Sequence, residues 1–282
     1  MTDLQADYFT DLEAIVTLAL SEDIGDGDIT AQLIPADQTA NAVVITRESA
    51  IICGRPWFDE VFRQLDPDIA IEWLVEEGQT VNPNDELVKL SGNTRSLLTG
   101  ERTALNFLQT LMGTATTAGE YSKLAEETNT KILDTRKTLP GLRRAQKYAV
   151  KIGGCDNHRM GLYDAYLIKE NHISACGSIK SAVDNARKQA PGKLVEIEVE
   201  NIEQLQQALD AKANIVMLDN FDQNSLDQAA LKKEDGIKYE VSGNLDQASI
   251  SAILMSEVDL LSSGSLTKHI RAIDLSMRIH TY

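Results

Sequence analysis

The stretch that decides the fold is residues 131–172, which read KILDTRKTLPGLRRAQKYAVKIGGCDNHRMGLYDAYLIKENH. It begins with a strand-like run followed by Arg136 and Lys137, and it closes with a second strand-like run, residues 165–168, followed by Lys169. In parallel α/β folds the residues just after each strand lie at the ligand-binding edge of the sheet. The stretch therefore predicts a parallel sheet with cationic side chains at one edge.

Positive charge is concentrated in this stretch. It holds nine Lys or Arg against four Asp or Glu, a net charge of +5, whereas the whole chain carries −16. Nucleic-acid-binding domains usually have a broad basic face and a high pI, and the pI here is about 4.7. The local cations therefore indicate a site for a small anion. For some of them a solvated basic helix face is an equally good interpretation: Arg143, Arg144, Lys147 and Lys151.

Strands and helices alternate from residue 131 onward. The pattern predicts six strands, at 131–136, 165–169, 194–199, 214–219, 237–242 and 258–263. It predicts helices between them, for example at 179–190, 202–211 and 246–255. Strands that alternate with helices of this length are typical of βαβ units and a parallel sheet. Six readable units, with room for one more, predict an incomplete (β/α) barrel.

The first hundred residues have a different pattern. Apolar residues at helical spacing predict a helix at 8–20. Strand-like runs at 42–45, 69–74 and 87–90, with a helix at 56–65, predict an α/β open sandwich.

A long helix is predicted at 99–127, with Thr99 as its N-cap. Gly113 and Gly119 flank a run of small residues in its middle, which predicts either close packing or a break. The fold class is therefore α/β with two domains. We predict the sandwich at 1–112, the barrel at 113–266, and packing of 267–282 back on the sandwich.

Polar residues follow the predicted barrel strands, and in a barrel they converge on one mouth. In chain order they are Arg136, Lys169, Glu198, Asp219, Ser242-Gly243-Asn244 and Ser263-Gly264-Ser265. The two glycine-bearing turns offer backbone N–H groups to a phosphate. The barrel mouth is thus predicted to be the binding site.

Two carboxylates at this mouth have two possible explanations. Glu198 and Asp219 could hold ribose hydroxyls or Mg²⁺, directly or through water, because Mg²⁺ prefers oxygen ligands. They could instead form ion pairs with Lys169 or Lys137. Glu196 lies on the same strand face as Glu198, so we predict a cationic partner for it, such as Lys137.

Three blocks of sequence carry a resemblance to a known family. They are Asp134-Thr135-Arg136-Lys137-Thr138 with Pro140-Gly141, then Asn157-His158-Arg159-Met160-Gly161-Leu162, then Lys169-Glu170-Asn171-His172. In this order they resemble the quinolinate phosphoribosyltransferases. The similarity extends from residues 27–30 to residues 266–269.

The resemblance implies a reaction and a set of partners. Quinolinate and phosphoribosyl pyrophosphate would give nicotinate mononucleotide, pyrophosphate and carbon dioxide, with Mg²⁺ and without an organic cofactor. It implies an incomplete barrel and a homodimer, in which Arg102 is inserted from the partner subunit. From the sequence alone, Arg102 is equally well a surface residue near the start of a helix.

The resemblance also implies residue roles. The dicarboxylate site would comprise Arg136, His158, Arg159 and Lys169, with Arg102. The phosphates would be held by Thr135, Arg136 and Lys137, with the two glycine-bearing turns. The catalytic groups would be Lys137, Lys169, Glu198 and Asp219.

Two alternatives to this function stay open. A related phosphoribosyltransferase-like enzyme could act on another small acid, although so many cations exceed the need of a monocarboxylate. A non-catalytic anion-binding or carrier module is suggested by residues 75–87, which resemble a carrier domain. Lys89, however, falls inside a strand and not at a hairpin tip.

The cellular setting follows from cysteine usage and hydropathy. The three cysteines, Cys53, Cys155 and Cys176, are widely spaced, which favours reduced thiols in the cytoplasm. No apolar run reaches the roughly 18 residues that span a membrane, and no signal peptide is evident. We therefore expect a cytoplasmic protein that binds neither membranes nor nucleic acid.

Overall fold

A computed structural model of the chain describes residues 8–243, 253–254 and 258–281. The chain divides into two compact units. The first comprises Met1–Gly119, Leu139–Gly154 and His269–Tyr282, and the second comprises Glu120–Thr138 and Cys155–Lys268. In the described residues, no helix has the length and apolar character that crossing a membrane requires.

The first unit contains an antiparallel sheet of four strands. They are β1 (Thr39–Thr46), β3 (Ala70–Trp73), β5 (Glu86–Asn93) and β12 (Leu275–Thr281), in the order β12-β1-β5-β3. Val44 of β1 pairs with Met277 on one side and with Val88 on the other. The C-terminal strand therefore belongs to the sheet of the first unit. A short ribbon joins β2 (Ala50–Ile51) to β4 (Thr80–Val81).

Four helices pack in the first unit: α1 (Leu12–Ile24), α2 (Arg55–Leu65), the unit's part of α3 (Thr94–Leu124) and α4 (Arg143–Ile152). Trp57 and Phe58 of α2 and Leu105 and Leu108 of α3 are fully buried in its apolar core. The carboxylate of Glu77 accepts hydrogen bonds from the amides at the start of α2, which otherwise lack partners within the helix.

Helix α3 begins earlier than predicted. The Oδ1 atom of Asn93 accepts from the amides of Arg95 at 2.9 Å and Ser96 at 3.3 Å, so Asn93 caps the helix. The prediction of Thr99 as N-cap is wrong, because Thr99 lies inside the helix and donates its hydroxyl to Asp28. The helix is continuous through Gly113 and Gly119, so close packing and not a break explains these glycines.

Helix α4 lies in the first unit, although residues 113–266 were predicted to form one barrel domain. The reason is that Ala145 and Ala149 are buried in the apolar core of the first unit. Lys147 on the same helix is also fully buried, so the interpretation as a solvated basic face is wrong for this residue. Arg144 pairs with Asp11 at 3.7 Å, and Lys151 is exposed.

The second unit is built on a parallel sheet of six strands. They are β6 (Lys131–Leu133), β7 (Tyr166–Ile168), β8 (Val195–Val199), β9 (Ile215–Asp219), β10 (Lys238–Gly243) and β11 (Leu260–Ser263). The order is β6-β11-β10-β9-β8-β7. The predicted strands are therefore present. The two edge strands, β6 and β7, do not pair with each other among the described residues, which leaves the barrel incomplete.

Helices connect these strands: α5 (Glu170–Cys176), α6 (Ile179–Gln189), α7 (Ile202–Asp210) and α8 (Gln223–Ala230), with a short helix at Ser265–Lys268. The helix predicted at 246–255 falls mostly outside the described residues. The predicted α/β class, with an antiparallel sheet in the first unit and a parallel sheet in the second, is confirmed.

The side chains of β8 alternate between the two faces of the sheet, and this determines which of them lie at the candidate site. Val195, Ile197 and Val199 are buried in the apolar core that the helices of this unit share with the sheet. Side chains of a strand alternate between its two faces, so Glu196 and Glu198 lie on the opposite face. That face carries the candidate site.

Candidate active site

Asp134 fixes one side of the candidate site. This carboxylate follows β6 and is fully buried. Its Oδ1 atom accepts from the backbone amide of His158 at 2.9 Å, and its Oδ2 atom accepts from the side-chain amide of Asn157 at 2.7 Å. Asp134 therefore holds the loop that bears His158 and Arg159 against the end of β6. No role was predicted for Asp134, although it stands at a strand end within the first of the three blocks.

Both ring nitrogens of His158 face polar groups. Nδ1 accepts a hydrogen bond from the backbone amide of Arg159 at 2.8 Å. Nε2 lies 3.0 Å from a carboxylate oxygen of Glu196 and 3.6 Å from one of Glu240. Glu196 was predicted to pair with a cation, for example Lys137, and its partner in the structure is His158. Glu240 was missed because a single buried acid in a strand gives no sequence signal.

Arg159 lies close enough to Arg136 for their positive charges to interact. Burial lowers the pKa of Arg159, and the positive charge of Arg136 lowers it further, against the opposing charges of Glu196 and Asp164. Arg159 donates to the carbonyl of Ala165 at 3.3 Å. Among the described residues, Arg159 has no ion pair within 4.0 Å. Two neighbouring guanidinium groups, one of them without a carboxylate partner, form a ready site for an anion.

Lys169 and Glu198 lie at the ends of adjacent strands and form an ion pair. This is one of the two alternatives that the sequence left open for Glu198. The ring of His172 accepts from the backbone amide of Lys169 at 3.0 Å, which fixes the turn after β7. Asp219 ends β9, next to β8, and accepts from the side chain of Asn220 at 2.9 Å.

The turns after β6 and β11 meet because these strands are neighbours. A Cβ atom added at Gly264 would lie 2.9 Å from Cδ of Lys137 and 3.5 Å from the hydroxyl oxygen of Thr135. Thr267 donates its hydroxyl to the carbonyl of Lys137 at 2.9 Å. Glycine at 264 thus allows the Lys137 side chain to lie against the turn.

Of the two predicted glycine-bearing turns, the second lies within the described residues and the first lies there only in part. In the second, the amide of Ser265 donates to the hydroxyl of Ser263 at 3.2 Å. In the first, Ser242 and Gly243 end β10, and Ser242 pairs in register with Asp219. Asn244 lies outside the described residues. The second unit therefore brings the second turn together with Thr135 and Lys137.

Comparison with protein families decides the identity. Residues 28–112 match the model of the quinolinate phosphoribosyl transferase N-terminal domain, and residues 114–278 match that of the C-terminal domain. The chain belongs to the quinolinate phosphoribosyltransferase family.

Individual members of the family are similar to this chain in sequence and in structure. A probable carboxylating nicotinate-nucleotide pyrophosphorylase from Synechocystis sp. is 39% identical over 264 residues, which cover 92% of this chain and 90% of the relative. The solved nicotinate-nucleotide pyrophosphorylase of Francisella tularensis is 50% identical, with a TM-score of 0.91 and coverage of 98% and 97% of the two chains. NadC of Streptococcus pyogenes is 35% identical, with a TM-score of 0.93 and full coverage of both chains.

This quinolinate phosphoribosyltransferase family member is therefore an enzyme of the pentosyltransferase class, as the resemblance implied. Most of the predicted site residues lie in its second unit. Arg102 lies in the first unit, exposed on α3.

Proposed function

We propose that the protein transfers phosphoribose from phosphoribosyl pyrophosphate to the ring nitrogen of quinolinate and decarboxylates the product. Nicotinate mononucleotide, pyrophosphate and carbon dioxide are then formed. The observation that carries the proposal is the juxtaposition of Arg159 with Arg136, because Arg159 lacks an ion-pair partner in the described part of the chain. A dicarboxylate placed between these groups relieves their mutual repulsion.

The carboxylates of quinolinate suit the guanidinium groups of Arg136 and Arg159. Quinolinate has two adjacent carboxylates, and planar guanidinium groups bind carboxylates through paired hydrogen bonds. Arg136 and Arg159 supply two such groups. Lys169 would supply a third cation after exchanging its ion pair with Glu198 for the substrate. In this arrangement His158 orients Arg159 through the hydrogen bond from the Arg159 amide.

The phosphates would bind at the turns after β6 and β11. Lys137 is exposed there, beside Thr135 and Gly264. Its ammonium group and the backbone amides of the Ser263–Ser265 turn are suitable donors to phosphate oxygens. Ser242 and Gly243 at the end of β10 would extend this set.

The carboxylates Glu198 and Asp219 would face the ribose. They lie on adjacent strands at the same end of the sheet, and their oxygens are the donors that Mg²⁺ prefers. We propose that they hold Mg²⁺, directly or through water, or bind ribose hydroxyls. Bound Mg²⁺ would neutralise charge on the leaving pyrophosphate. Their own negative charge would stabilise the positive charge that develops on the ribose.

The chemical step requires positioning more than a reactive side chain. The ring nitrogen of quinolinate attacks the anomeric carbon of the ribose as pyrophosphate leaves. The nitrogen then carries a positive charge, which stabilises the electron pair left on the adjacent ring carbon when its carboxylate departs as carbon dioxide. That carbon finally takes up a proton from water. The proposed contributions of the protein are orientation and electrostatic stabilisation, without an organic cofactor.

The decisive experiment is an assay of both products. We expect quinolinate, phosphoribosyl pyrophosphate and Mg²⁺ to give nicotinate mononucleotide and carbon dioxide in equal amounts, and nicotinate to give no product. Comparable turnover of nicotinate would support the alternative enzyme acting on another small acid. Binding of quinolinate without any product would support a non-catalytic anion-binding module.

We also propose a homodimer in which Arg102 completes the site of its partner. An Arg102→Ala chain and an Arg136→Ala chain should each be inactive alone and active when co-expressed. Random pairing makes half of the dimers hybrid, and each hybrid has one intact site, so we expect about a quarter of wild-type activity.

The control for this mixing experiment is the composition of the dimers. Two different affinity tags allow the hybrid to be purified and its mass to be checked. An inactive purified hybrid would show that Arg102 and Arg136 act within one chain.

We also propose that the enzyme acts in the cytoplasm. Cys53 is a buried free thiol, and Cys176 is an exposed one. Free thiols persist in a reducing compartment, which supports this location.

A further inference from the structure

We propose that Asp134 and Thr267 are positioning residues, each of which serves a different substrate. Asp134 holds the loop at residues 157–159 in place for quinolinate, and Thr267 holds the turn at residues 135–138 in place for phosphoribosyl pyrophosphate. The assignment of a substrate to each residue rests on the proposed function. The two anchoring contacts themselves belong to the fold of the second unit.

The course of the chain explains why the second unit needs such anchors. After β6 the chain leaves this unit at Thr138 and returns to it at Cys155. The residues in between belong to the first unit and include α4. The cationic segments before and after them are therefore not joined by a tight turn. Their positions on the sheet depend on tertiary contacts.

Asp134 fixes the segment that returns to the second unit. Asp156 lies alongside β6, because its amide donates to the backbone of that strand at 2.8 Å and its carbonyl accepts from the amide of Asp134 at 3.1 Å. This register brings the buried carboxylate of Asp134 to the next two residues. One oxygen accepts from the amide of His158 and the other from the side chain of Asn157. Arg159 follows directly, so these two bonds set the position of its backbone.

Thr267 fixes the segment that leaves the second unit. Its side chain is buried, and its hydroxyl donates to the carbonyl of Lys137 at 2.9 Å. Thr267 follows the Ser263–Ser265 turn, and its amide donates to the carbonyl of Gly264 at 3.3 Å. One residue therefore connects the two groups that are proposed to bind phosphate, which are the Lys137 ammonium and the amides of the turn.

The two anchors hold different segments of backbone. Asp134 holds residues 157 and 158, whereas Thr267 holds Lys137 against the turn after β11. When an anchoring hydrogen bond is lost, the segment that it holds shifts, and small displacements of a binding group are costly. Each substitution should therefore impair mainly one substrate, whereas a general loss of folding would impair both.

The Asp134→Asn variant tests the first anchor. The new side-chain NH₂ group would face either the amide of His158 or the side-chain NH₂ of Asn157, and two donors do not bond to each other. We expect KM for quinolinate to rise about tenfold and KM for phosphoribosyl pyrophosphate to change less than about twofold. An equal rise in both KM values would overturn the inference.

A reciprocal exchange of the two side chains should rescue this variant. When Asp134→Asn is combined with Asn157→Asp, the donor and the acceptor change places and the bond between the side chains can form again. The amide of His158 keeps a carbonyl oxygen as its acceptor. We expect KM for quinolinate to return to within about threefold of the wild-type value. A double variant no better than Asp134→Asn would contradict the proposed role.

The Thr267→Val variant tests the second anchor, because it removes the hydroxyl and keeps the branched shape. We expect KM for phosphoribosyl pyrophosphate to rise about tenfold and KM for quinolinate to stay within about twofold. Thr267→Ser retains the hydroxyl and should behave like the wild type. A larger effect on quinolinate than on phosphoribosyl pyrophosphate would overturn the assignment.

Thr130→Val is the matched control for Thr267→Val. Thr130 is also buried and donates its hydroxyl to a carbonyl, that of Val258 at 2.7 Å, but this bond lies just before β6 and β11 begin. Thr130→Val should lower stability and leave both KM values unchanged. A change in either KM value as large as that in Thr267→Val would show that these values respond to stability alone, which would overturn the inference.

Hydrogen exchange tests the first anchor without turnover. The amide of His158 donates to Asp134, so it should exchange slowly in the wild type. We expect its exchange to be at least about tenfold faster in Asp134→Asn and slow again in the double variant. Unchanged exchange in Asp134→Asn would overturn the inference. Absence of product from the wild type would overturn the proposed function, and hydrogen exchange would still test the anchor.

Discussion

The Arg159→Met variant is expected to lose about 10³-fold in kcat/KM for quinolinate. Methionine retains an apolar stem and removes only the guanidinium group. A hydrogen bond to a charged group contributes about 1.5–3 kcal/mol, and a paired interaction with a carboxylate comprises two. A loss of about 4 kcal/mol corresponds to about 10³-fold in rate. KM for phosphoribosyl pyrophosphate should change far less, because the phosphates are proposed to bind at the Lys137 turn.

The Arg159→Met substitution should not lower the stability of the protein, although it lowers activity. Arg159 is partly buried beside the like charge of Arg136 and has no ion-pair partner in the described residues. Removing it relieves repulsion, so the melting temperature of the free enzyme should stay the same or rise. A loss of activity with a raised melting temperature indicates a binding residue, because a structural arginine would lose both.

Arg187→Met is the matched control. Arg187 also donates to a backbone carbonyl, that of Ala211 at 3.1 Å, but it lies on α6 and no site role is proposed for it. This variant should lose stability and retain kcat/KM. Activity of Arg159→Met within about threefold of the wild type would exclude Arg159 from the dicarboxylate site.

The strands of the barrel could be predicted because the alternation of apolar and polar residues within each strand is visible in the sequence alone. Val195, Ile197 and Val199 alternate with Glu196 and Glu198, and this period of two identifies both a strand and its buried face. The residues just after each strand then had to share one edge of the sheet. Lys169 and Glu198 form an ion pair at that edge, as one of the two interpretations required.

The partners of the buried acids could not be predicted, because sequence gives charge but not burial. Glu196 was expected to meet Lys137, yet Asp134 anchors the distant loop that carries His158 to that position. The stretch 131–172 contains both Asp134 and His158, but their contact spans 24 residues. Only the folded loop shows that His158 and not a lysine faces Glu196.

Helix α4 shows that domain boundaries also depend on burial, which the sequence does not give. Its sequence is rich in Arg and Lys, and its position between two barrel strands suggested that it belongs to the barrel. Two small residues, Ala145 and Ala149, place it in the core of the first unit. Similarly, Asn93 and Thr99 are both acceptable N-caps by residue type. The contact of Thr99 with Asp28 is a tertiary feature that residue preferences cannot supply.

The Gly113→Ala variant is expected to lower the free energy of unfolding by about 3 kcal/mol. In a helix interior, alanine is otherwise favoured over glycine by about 1 kcal/mol. Here, however, a Cβ atom would lie 2.2 Å from the carbonyl oxygen of Arg271. Backbone atoms yield to such an overlap only when the whole segment shifts.

That segment is anchored on both sides of the overlap. The amide of Ile273 donates to the carbonyl of Gln109 on α3 at 3.1 Å. Arg271 pairs with Glu48 at 2.6 Å, and the same carboxylate accepts from the amide of Asp274 at 2.9 Å. A shift of the Arg271 carbonyl would strain or break these bonds, so the cost of the overlap exceeds the helical preference for alanine.

Gly119→Ala on the same helix is the matched control. Its Cβ atom would overlap with Cδ1 of Ile51, at 2.5 Å, and the end of an isoleucine side chain can rotate away. The nearest backbone atom, the carbonyl oxygen of Gly153, would lie at 3.7 Å, which is an ordinary contact. We expect its stability to change by less than about 1 kcal/mol. Denaturant titration followed by tryptophan fluorescence measures both variants, because Trp57 and Trp73 lie in the first unit. Equal stability of the two variants would show that the Arg271 segment moves at little cost, which its three anchoring bonds argue against.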